Sequence, residues 1–255
     1  MLKLGWMSTA RGEGSLALLR FVCEHIEAGT LDARIPVVVC NREPGEAAQT
    51  DRFFEYARSR GLPLISQSSA RFRQSAPGPD WRTGFDRLLA DRIAHCDVDV
   101  LFLAGYMLIA SEYLCTRYPL LNLHPALPDG PKGTWREVMA ELAHTGATRT
   151  GAMIHVATPE LDRGPTVSFF SFSLEGEPFA SLRAARDTDA LAAAIREQEL
   201  RREFPLILST LRALAAGDIV ISDGRPNDAA ARLLEGGMDL SSQIEHLLAG
   251  SGHQG

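Results

Sequence analysis

Short apolar runs alternate with amphipathic stretches through the first half of the chain. The apolar runs, which predict strands buried in a sheet, cover residues 2–7, 35–40, 62–66, 98–106 and 120–124. Segments with helical spacing separate them, at residues 16–29, 47–61, 82–96 and 108–119. The interval 68–81 is rich in proline and glycine and is predicted as a loop. This alternation predicts βαβ units, and therefore an α/β fold with a Rossmann-like, mostly parallel twisted sheet flanked by helices.

The pattern changes after Pro128. A helix is predicted over 134–146, and two alternating segments at 150–158 and 165–174 predict strands with one wetter face, antiparallel to each other. A long helical pattern over 189–218 contains Pro205, which we expect to kink the helix or split it. Two short helical pieces and a glycine-rich end follow. We therefore predict one α/β domain over 1–222 and a C-terminal helical extension over 223–255.

Composition narrows the function classes. The 255 residues carry a formal net charge of −6 with scattered basic residues, which argues against a nucleic-acid or membrane surface. The four cysteines are far apart, so neither a disulfide framework nor a metal site is predicted. Neither a signal peptide nor a membrane span is evident. We expect a cytoplasmic protein that binds small molecules; its oligomeric state is not readable from the sequence.

The stretch NLHPALP, residues 122–128, ends the fifth predicted strand. Side chains alternate along a strand, so Asn122 and His124 share one face, and ligands of open parallel sheets lie beyond the carboxyl ends of the strands. An imidazole can transfer a proton near neutral pH, and an amide can hydrogen-bond a developing oxyanion. The alternative is a purely structural role, in which His124 hydrogen-bonds a loop carbonyl and Asn122 caps a turn.

A carboxylate follows in PELDRGPTV, residues 159–167, between two predicted strands. Asp162 there can orient a histidine or relay a proton through water, or it can simply form a turn before Gly-Pro. His155, in the preceding strand, is a candidate for a supporting role.

Three segments together resemble one family. LFLAGYMLIAS (101–111), LLNLHPALP (120–128) and GAMIHVATPELDRGPTV (151–167) resemble the catalytic core of the folate-dependent formyltransferases, above all those that act on glycinamide ribonucleotide. The resemblance implies the formyltransferase fold and transfer of a formyl group from 10-formyltetrahydrofolate to a primary amine in purine biosynthesis. It implies direct attack by the amine, without a covalent enzyme intermediate. The implied catalytic residues are Asn122, His124 and Asp162.

The same resemblance implies the binding residues. The pterin of 10-formyltetrahydrofolate, which acts as co-substrate, would lie against Met107, Leu108, Ile109, Val156, Ala157, Thr158 and Glu160. The acceptor would be held by Gly12, Gly14, Ser15, Arg82 and Glu199. No metal is implied.

Departures from the family pattern leave the acceptor open. The glycine loop reads GEGSL, so Glu13 and Leu16 replace the expected residues, and the family's HPSLLP is one residue shorter here. Leu200 stands where a glutamate that recognises the amine is expected, with Glu199 beside it. Another amine, such as an amino sugar, therefore stays an alternative, as does a non-catalytic folate or nucleotide binder. A related hydrolase is disfavoured, because we expect no regulatory domain before residue 2.

Overall fold

The strands and helices are taken from a computed structural model, in which residues 1–251 are described. The strands are β1 (Leu2–Ser8), β2 (Ala33–Cys40), β3 (Leu64–Ser66), β4 (Val100–Leu103), β5 (Leu120–His124), β6 (Arg149–Val156), β7 (Thr166–Ser173), β8 (Ile219–Ser222), β9 (Arg225–Asp228) and β10 (Met238–Asp239). The helices are α1 (Glu13–Glu27), α2 (Ala48–Ser59), α3 (Ser69–Ser75), α4 (Trp81–Ile93), α5 (Glu112–Arg117), α6 (Trp135–Thr145), α7 (Phe179–Ala184), α8 (Thr188–Ala216) and α9 (Ser241–Ser251).

Two compact units make up the described chain. The first unit comprises Met1–Asn122, Val156–Arg163 and Leu214–Ala216. The second unit comprises Leu123–His155, Gly164–Ala213 and residues 217–251.

The first unit is built on parallel strands. β1 pairs with β2 on one side and with β4 on the other, while β3 extends the sheet beyond β2 and β5 extends it beyond β4. The chain therefore changes direction across the sheet between β1 and β4, and such a switch point is where open α/β sheets bind ligands. Gly5 allows the two strands to approach, because a Cβ there would lie 2.3 Å from the side chain of Leu101.

The core of the first unit lies between this sheet and helices α4 and α5. Its buried side chains include Val37, Val39, Phe85, Leu89, Ile93, Leu101, Leu114 and Leu120. These residues come from the apolar runs and helical stretches that the sequence pattern identified, so burial of apolar surface explains why the elements form where they were predicted.

The second unit contains the antiparallel pairs. β6 runs antiparallel to β7, β10 adds to β7 in parallel, and β8 and β9 form a separate hairpin. β6 and β7 lie so close at Gly151 that only glycine fits, because a Cβ there would lie 1.8 Å from the carbonyl oxygen of Phe170. The predicted α/β class, with a mostly parallel sheet and an antiparallel strand after β5, is thus confirmed.

Three local predictions are wrong. The predicted loop 68–81 contains α3, because the side chain of Ser68 accepts a hydrogen bond from the Arg71 N–H at 3.1 Å and caps the helix. The split predicted at Pro205 is wrong, because α8 runs on with buried residues on both sides of the proline, while the alternative, a kink, stays a prediction. Past residue 223, the first predicted helical piece does not form: β9 is followed by turns and one isolated bridge, from Asn227 to Leu233, up to β10.

The remaining C-terminal prediction holds in part. The second helical piece is confirmed as α9, in which Ile244 is buried, while residues 252–255 of the predicted glycine-rich end lie outside the described residues. Residues 223–251 thus contribute β9, β10 and α9, and the division at residue 222 stays a prediction. Among residues 1–251, no helix has the length and apolar character needed to cross a bilayer.

Candidate functional site

Thr9 joins the loops that leave β1 and β4. Its N–H donates to the Gly105 carbonyl at 3.2 Å, and its Oγ1 accepts from the Met107 N–H at 2.8 Å. Gly105 has φ +67°, and a Cβ there would lie 2.9 Å from Ser15 Oγ. The structure therefore brings the glycine loop and the segment that begins at Met107 together at the switch point. Thr9 carried no signal in the sequence beyond its place directly after a strand.

The glycine loop leads into helix α1 with an open N-terminus. Gly12 is the N-cap residue, extended at φ −128° and ψ 167°, and no side chain caps the helix. A Cβ added at Gly12 or Gly14 would meet no atom within 4 Å. The N–H groups of the first helical turn are therefore not covered by a capping side chain, and such groups together with the helix dipole favour anions.

Arg82 lies on the first turn of α4, where its side chain is exposed. Its guanidinium is 5.8 Å from the centre of the Trp81 ring. It also attracts the carboxylate of Asp86, whose pKa is raised by burial and lowered less strongly by Ser111 and Arg82. The described contacts of Arg82 are thus with its own helix, and its role toward a phosphate stays a prediction.

The segment after β4 presents apolar side chains to solvent. Met107 is 65% exposed and Ile109 is 39% exposed, whereas Leu108 packs against the core of the first unit. Ala157 packs against the same core. The residues predicted around a pterin therefore come from two segments that share one hydrophobic cluster.

Residues 156–160 are fixed by local hydrogen bonds. The Ala157 N–H donates to the Leu120 carbonyl of β5 at 2.7 Å, and Thr158 Oγ1 donates to the Glu160 carbonyl at 3.0 Å. Val156 is buried, while Glu160 is exposed. This part of the candidate pterin site is therefore anchored to the edge of β5 within the first unit.

Asn122 and His124 are both in β5, so strand alternation places them on one side of it. Asn122 is half-buried and stands in register with Leu103 of β4. His124 is only 2% exposed, and its Nε2 lies 2.8 Å from the Pro131 carbonyl oxygen. A carbonyl oxygen only accepts, so Nε2 carries a hydrogen. In the neutral ring, Nδ1 is then the nitrogen that can take up a proton.

His155 accompanies His124 inside the second unit. The two rings meet edge to face, with centroids 6.4 Å apart and planes at 86°, and His155 is 2% exposed. The Pro131 carbonyl was not identified from the sequence, because any residue offers a carbonyl. His155 was identified through its place in a predicted strand before Asp162.

Asp162 is 6% exposed and has φ +53°, in the left-handed region. Aspartate tolerates this conformation better than most residues, and such conformations cluster at functional sites. The loop therefore fixes a buried carboxylate in the first unit, which also holds Asn122.

Glu199 is fully buried in α8 of the second unit, whereas Leu200 is 49% exposed. Glu199 Oε2 lies 2.5 Å from Arg196 Nη1, and the same nitrogen lies 2.5 Å from Glu203 Oε1. Glu199 Oε1 has no hydrogen-bond partner among the described residues. Burial raises the pKa of Glu199 to about 8 despite the attraction of Arg196. Within residues 1–251, no group of three or more acidic, histidine or cysteine side chains is arranged to hold a metal.

Comparison with known proteins places this geometry in a family. The family model described as "Formyl transferase" matches residues 14–171. The chain belongs to the formyl transferase family. It is 31% identical over 157 residues to the phosphoribosylglycinamide formyltransferase of Escherichia coli (strain K12), an alignment that covers 61% of this chain and 66% of the relative. It is 33% identical over 93 residues to the Saccharomyces cerevisiae enzyme of the same name, over 32% of this chain and 42% of the relative. The chain thus spans less than two thirds of either relative.

Solved structures of formyl transferases share the fold. Glycinamide ribonucleotide transformylase 1 from Symbiobacterium toebii superposes with a TM-score of 0.62 at 24% identity, over 92% of this chain and 95% of that chain. The phosphoribosylglycinamide formyltransferase of Coxiella burnetii superposes with a TM-score of 0.67 at 21% identity, over 93% of this chain and 98% of that chain. A formyltetrahydrofolate deformylase from Pseudomonas syringae pv. tomato superposes with a TM-score of 0.59 at 19% identity, over 88% of this chain and 65% of that chain. At these identities the likeness concerns the fold alone.

Proposed function

We propose that this formyl transferase family member transfers the formyl group of 10-formyltetrahydrofolate to the amine of glycinamide ribonucleotide, a step of purine biosynthesis. The observation that carries the proposal is the end of β5, where buried His124 has its Nε2 held by the Pro131 carbonyl and Asn122 precedes it by two residues. The names of the relatives from Escherichia coli and Saccharomyces cerevisiae support the choice of acceptor.

The reaction needs one bond formed, one broken and one proton moved. The amine nitrogen bonds to the formyl carbon, the bond from that carbon to N10 of the folate breaks, and a proton passes from the amine to N10. In the proposed mechanism the amide of Asn122 donates to the formyl oxygen as negative charge develops there. His124 transfers the proton through Nδ1, and Asp162 stabilises the charged imidazole. No enzyme nucleophile is required.

The residues present fit a folate co-substrate. Met107, Ile109 and Leu161 are all large, apolar and exposed in the first unit. A flat heterocycle with a hydrogen-bonding edge suits such a surface, because it can cover apolar side chains while its polar edge meets backbone groups.

A different amine is the second candidate. Leu200 is exposed at the place where a glutamate for the amine is expected, while Glu199 is buried against Arg196. This arrangement favours an acceptor that needs no carboxylate at that position. For either acceptor we propose small-molecule substrates, no nucleic-acid or membrane partner and a cytoplasmic location. The charge pattern supports the exclusion of nucleic acid.

The test is a spectrophotometric assay with the dideaza analogue of 10-formyltetrahydrofolate and glycinamide ribonucleotide. His124→Ala is expected to lower kcat by about 10²–10⁴-fold, the usual contribution of a general acid–base. The matched control is His144→Ala, an exposed histidine of α6, which should leave kcat within twofold. Unchanged turnover in His124→Ala would refute the mechanism. Folate binding without turnover would redirect the search to other amines.

A further inference from the structure

We propose that Arg42, at the carboxyl end of β2, binds the anionic group of a phosphorylated acceptor. This inference rests on the proposed function for the identity of the acceptor. Arg42 was not identified from the sequence, because an arginine that follows a strand is usually solvated at the surface. Four observations in the first unit support the proposal. They are the position of Arg42 at the sheet edge, its link to the glycine loop, the absence of an acidic partner within ion-pair distance among the described residues, and the open start of helix α1.

Arg42 lies beyond the carboxyl end of β2, beside the point where β1 ends. Ser8, the last residue of β1, stands in register with Cys40, the last residue of β2. The Asn41 N–H then donates to the Ser8 carbonyl at 3.4 Å. The chain segments that follow the two strands therefore start side by side at the carboxyl edge of the sheet, where ligands of this architecture bind.

Thr50 connects Arg42 to the glycine loop. The Thr50 hydroxyl is fully buried and donates to the Ala10 carbonyl at 3.1 Å. Arg42 Nη1 lies 3.5 Å from the same hydroxyl oxygen. Ala10 has φ +49°, and its N–H donates to the buried Ser8 Oγ at 3.0 Å. The guanidinium is thus held close to the residue from which the glycine loop departs.

No carboxylate lies within ion-pair distance of Arg42 in the described part of the chain. The acidic side chains nearest in sequence face Arg71 instead: Glu43 Oε2 accepts from it at 2.6 Å, and Glu46 lies 3.8 Å from it. Glu43 Oε1 accepts from the Ser68 N–H at 3.2 Å. The contact of Arg42 with Thr50 is at the outer limit of a hydrogen bond, so nearly all five N–H donors remain available.

A half-buried guanidinium that forms no ion pair is less hydrated than an exposed one, so it gains from binding an anion. The planar guanidinium matches the oxygens of phosphate in a two-point contact, and the open start of α1 adds N–H groups with the helix dipole. Arg11 and Glu13, both exposed in the loop, offset each other in formal charge. Arg42 forms no ion pair among the described residues, and a phosphate monoester is the chemistry that its guanidinium fits.

The test measures binding of ribose 5-phosphate by calorimetry, which does not depend on turnover. Arg42→Gln is expected to weaken this binding at least tenfold and to leave the binding of ribose unchanged. Arg42→Lys keeps the charge but loses the two-point geometry, and should fall between the wild type and Arg42→Gln. Arg52→Gln, an exposed arginine on the adjoining helix α2, is the matched control and should bind like the wild type.

Each outcome decides the inference. Binding by Arg42→Gln within twofold of the wild type would overturn it, and so would a wild-type protein that does not distinguish ribose 5-phosphate from ribose. If Arg42→Gln fails to fold by circular dichroism, the Arg42→Lys variant carries the test alone. Failure of formyl transfer to glycinamide ribonucleotide, with intact phosphate binding through Arg42, would refute the proposed acceptor and leave this inference standing.

Discussion

Asp162 shows how one residue combines backbone geometry with charge. It adopts φ +53° and is 6% exposed, so any replacement must satisfy the backbone as well as fill the space. Asparagine is the informative substitution, because it tolerates the left-handed region as aspartate does and removes only the charge.

We expect Asp162→Asn to lower kcat by about 10²-fold or more, because the imidazolium of His124 would lose its stabilising charge. The melting temperature should change little. Steady-state kinetics and a thermal melt measure the two quantities. Asp223→Asn is the matched control, because Asp223 is an exposed aspartate at φ +50°. A melting temperature that falls together with kcat would show that Asp162 acts structurally.

The buried carboxyl group of Glu199 leads to a prediction about how stability depends on pH. Burial raises its pKa from an ordinary 4.5 to about 8, so between these values the folded chain holds a proton that the unfolded chain has lost. Stability therefore decreases as pH rises through this window. We expect the stability of the wild type relative to Glu199→Gln to fall between pH 5 and pH 9, as measured by urea unfolding.

Glu197→Gln is the matched control for that experiment, since Glu197 is exposed on the same helix. Its stability relative to the wild type should not vary with pH over that range. A flat difference for Glu199→Gln as well would mean that Arg196 keeps Glu199 ionised throughout.

Sequence reasoning recognises residues by chemical type and spacing, and this determines which parts of the candidate site it can find. Asn122 and His124 were accessible because a strand places alternate residues on one face. Glu199 and Leu200 show the limit: adjacent helical positions differ by about 100°, and the pattern did not settle which one faces inward. Arg42 was missed because its environment depends on Thr50, Ala10 and Arg71, which only the fold brings near.

At the scale of elements, helix α6 holds the loop that follows His124. Thr134 and Glu137 form a capping box: the Glu137 N–H donates to Thr134 Oγ1 at 3.4 Å, and the Thr134 N–H donates to Glu137 Oε2 at 2.7 Å. The hydrogen bonds that Glu137 Oε2 accepts from the N–H and from the hydroxyl of Thr134 lower the pKa of Glu137. The N-cap of α6, Thr134, is thereby fixed only three residues after Pro131, whose carbonyl holds His124.

We expect Thr134→Ala to cost about 1 kcal/mol of stability, the typical value for an N-cap. It should also lower kcat, because the Pro131 carbonyl would be less firmly placed. Urea unfolding and steady-state assays measure the two effects. Thr145→Ala, at the other end of α6, provides the comparison and should leave kcat unchanged. An undiminished kcat in Thr134→Ala would show that the loop is held by other contacts.

The long helix α8 shows why element boundaries escape local rules. The proline rule predicts a kink or a break at Pro205. The helix does not break, because Leu206, Ile207 and Leu211 on one side and Ile195 on the other are buried and keep it packed. Packing over both halves outweighs one missing backbone hydrogen bond. Conversely, α3 forms in seven residues that show little periodicity, because Ser68 supplies a cap.

At the scale of the whole molecule, hydrophobic patterning predicted the class and the order of the major strands. β4 is a continuous apolar run and β2 contains one over residues 35–40. Their burial follows from the few ways a chain can cover such strands with helices. The C-terminal part was harder, because β9 and β10 have only four and two residues, and β10 forms against β7, which is distant in the sequence. Short strands of that kind carry no periodicity to detect.

The exposed thioether of Met107 has a chemical consequence. Met107 is 65% exposed, so we expect peroxide to reach its sulfur and convert it to the polar sulfoxide. A surface proposed to hold a heterocycle by apolar contact would then turn hydrophilic, so protein stored in air should lose folate affinity before it loses structure. Methionine sulfoxide reductase should restore that affinity, which links the catalytic lifetime of the protein to the redox repair capacity of its surroundings.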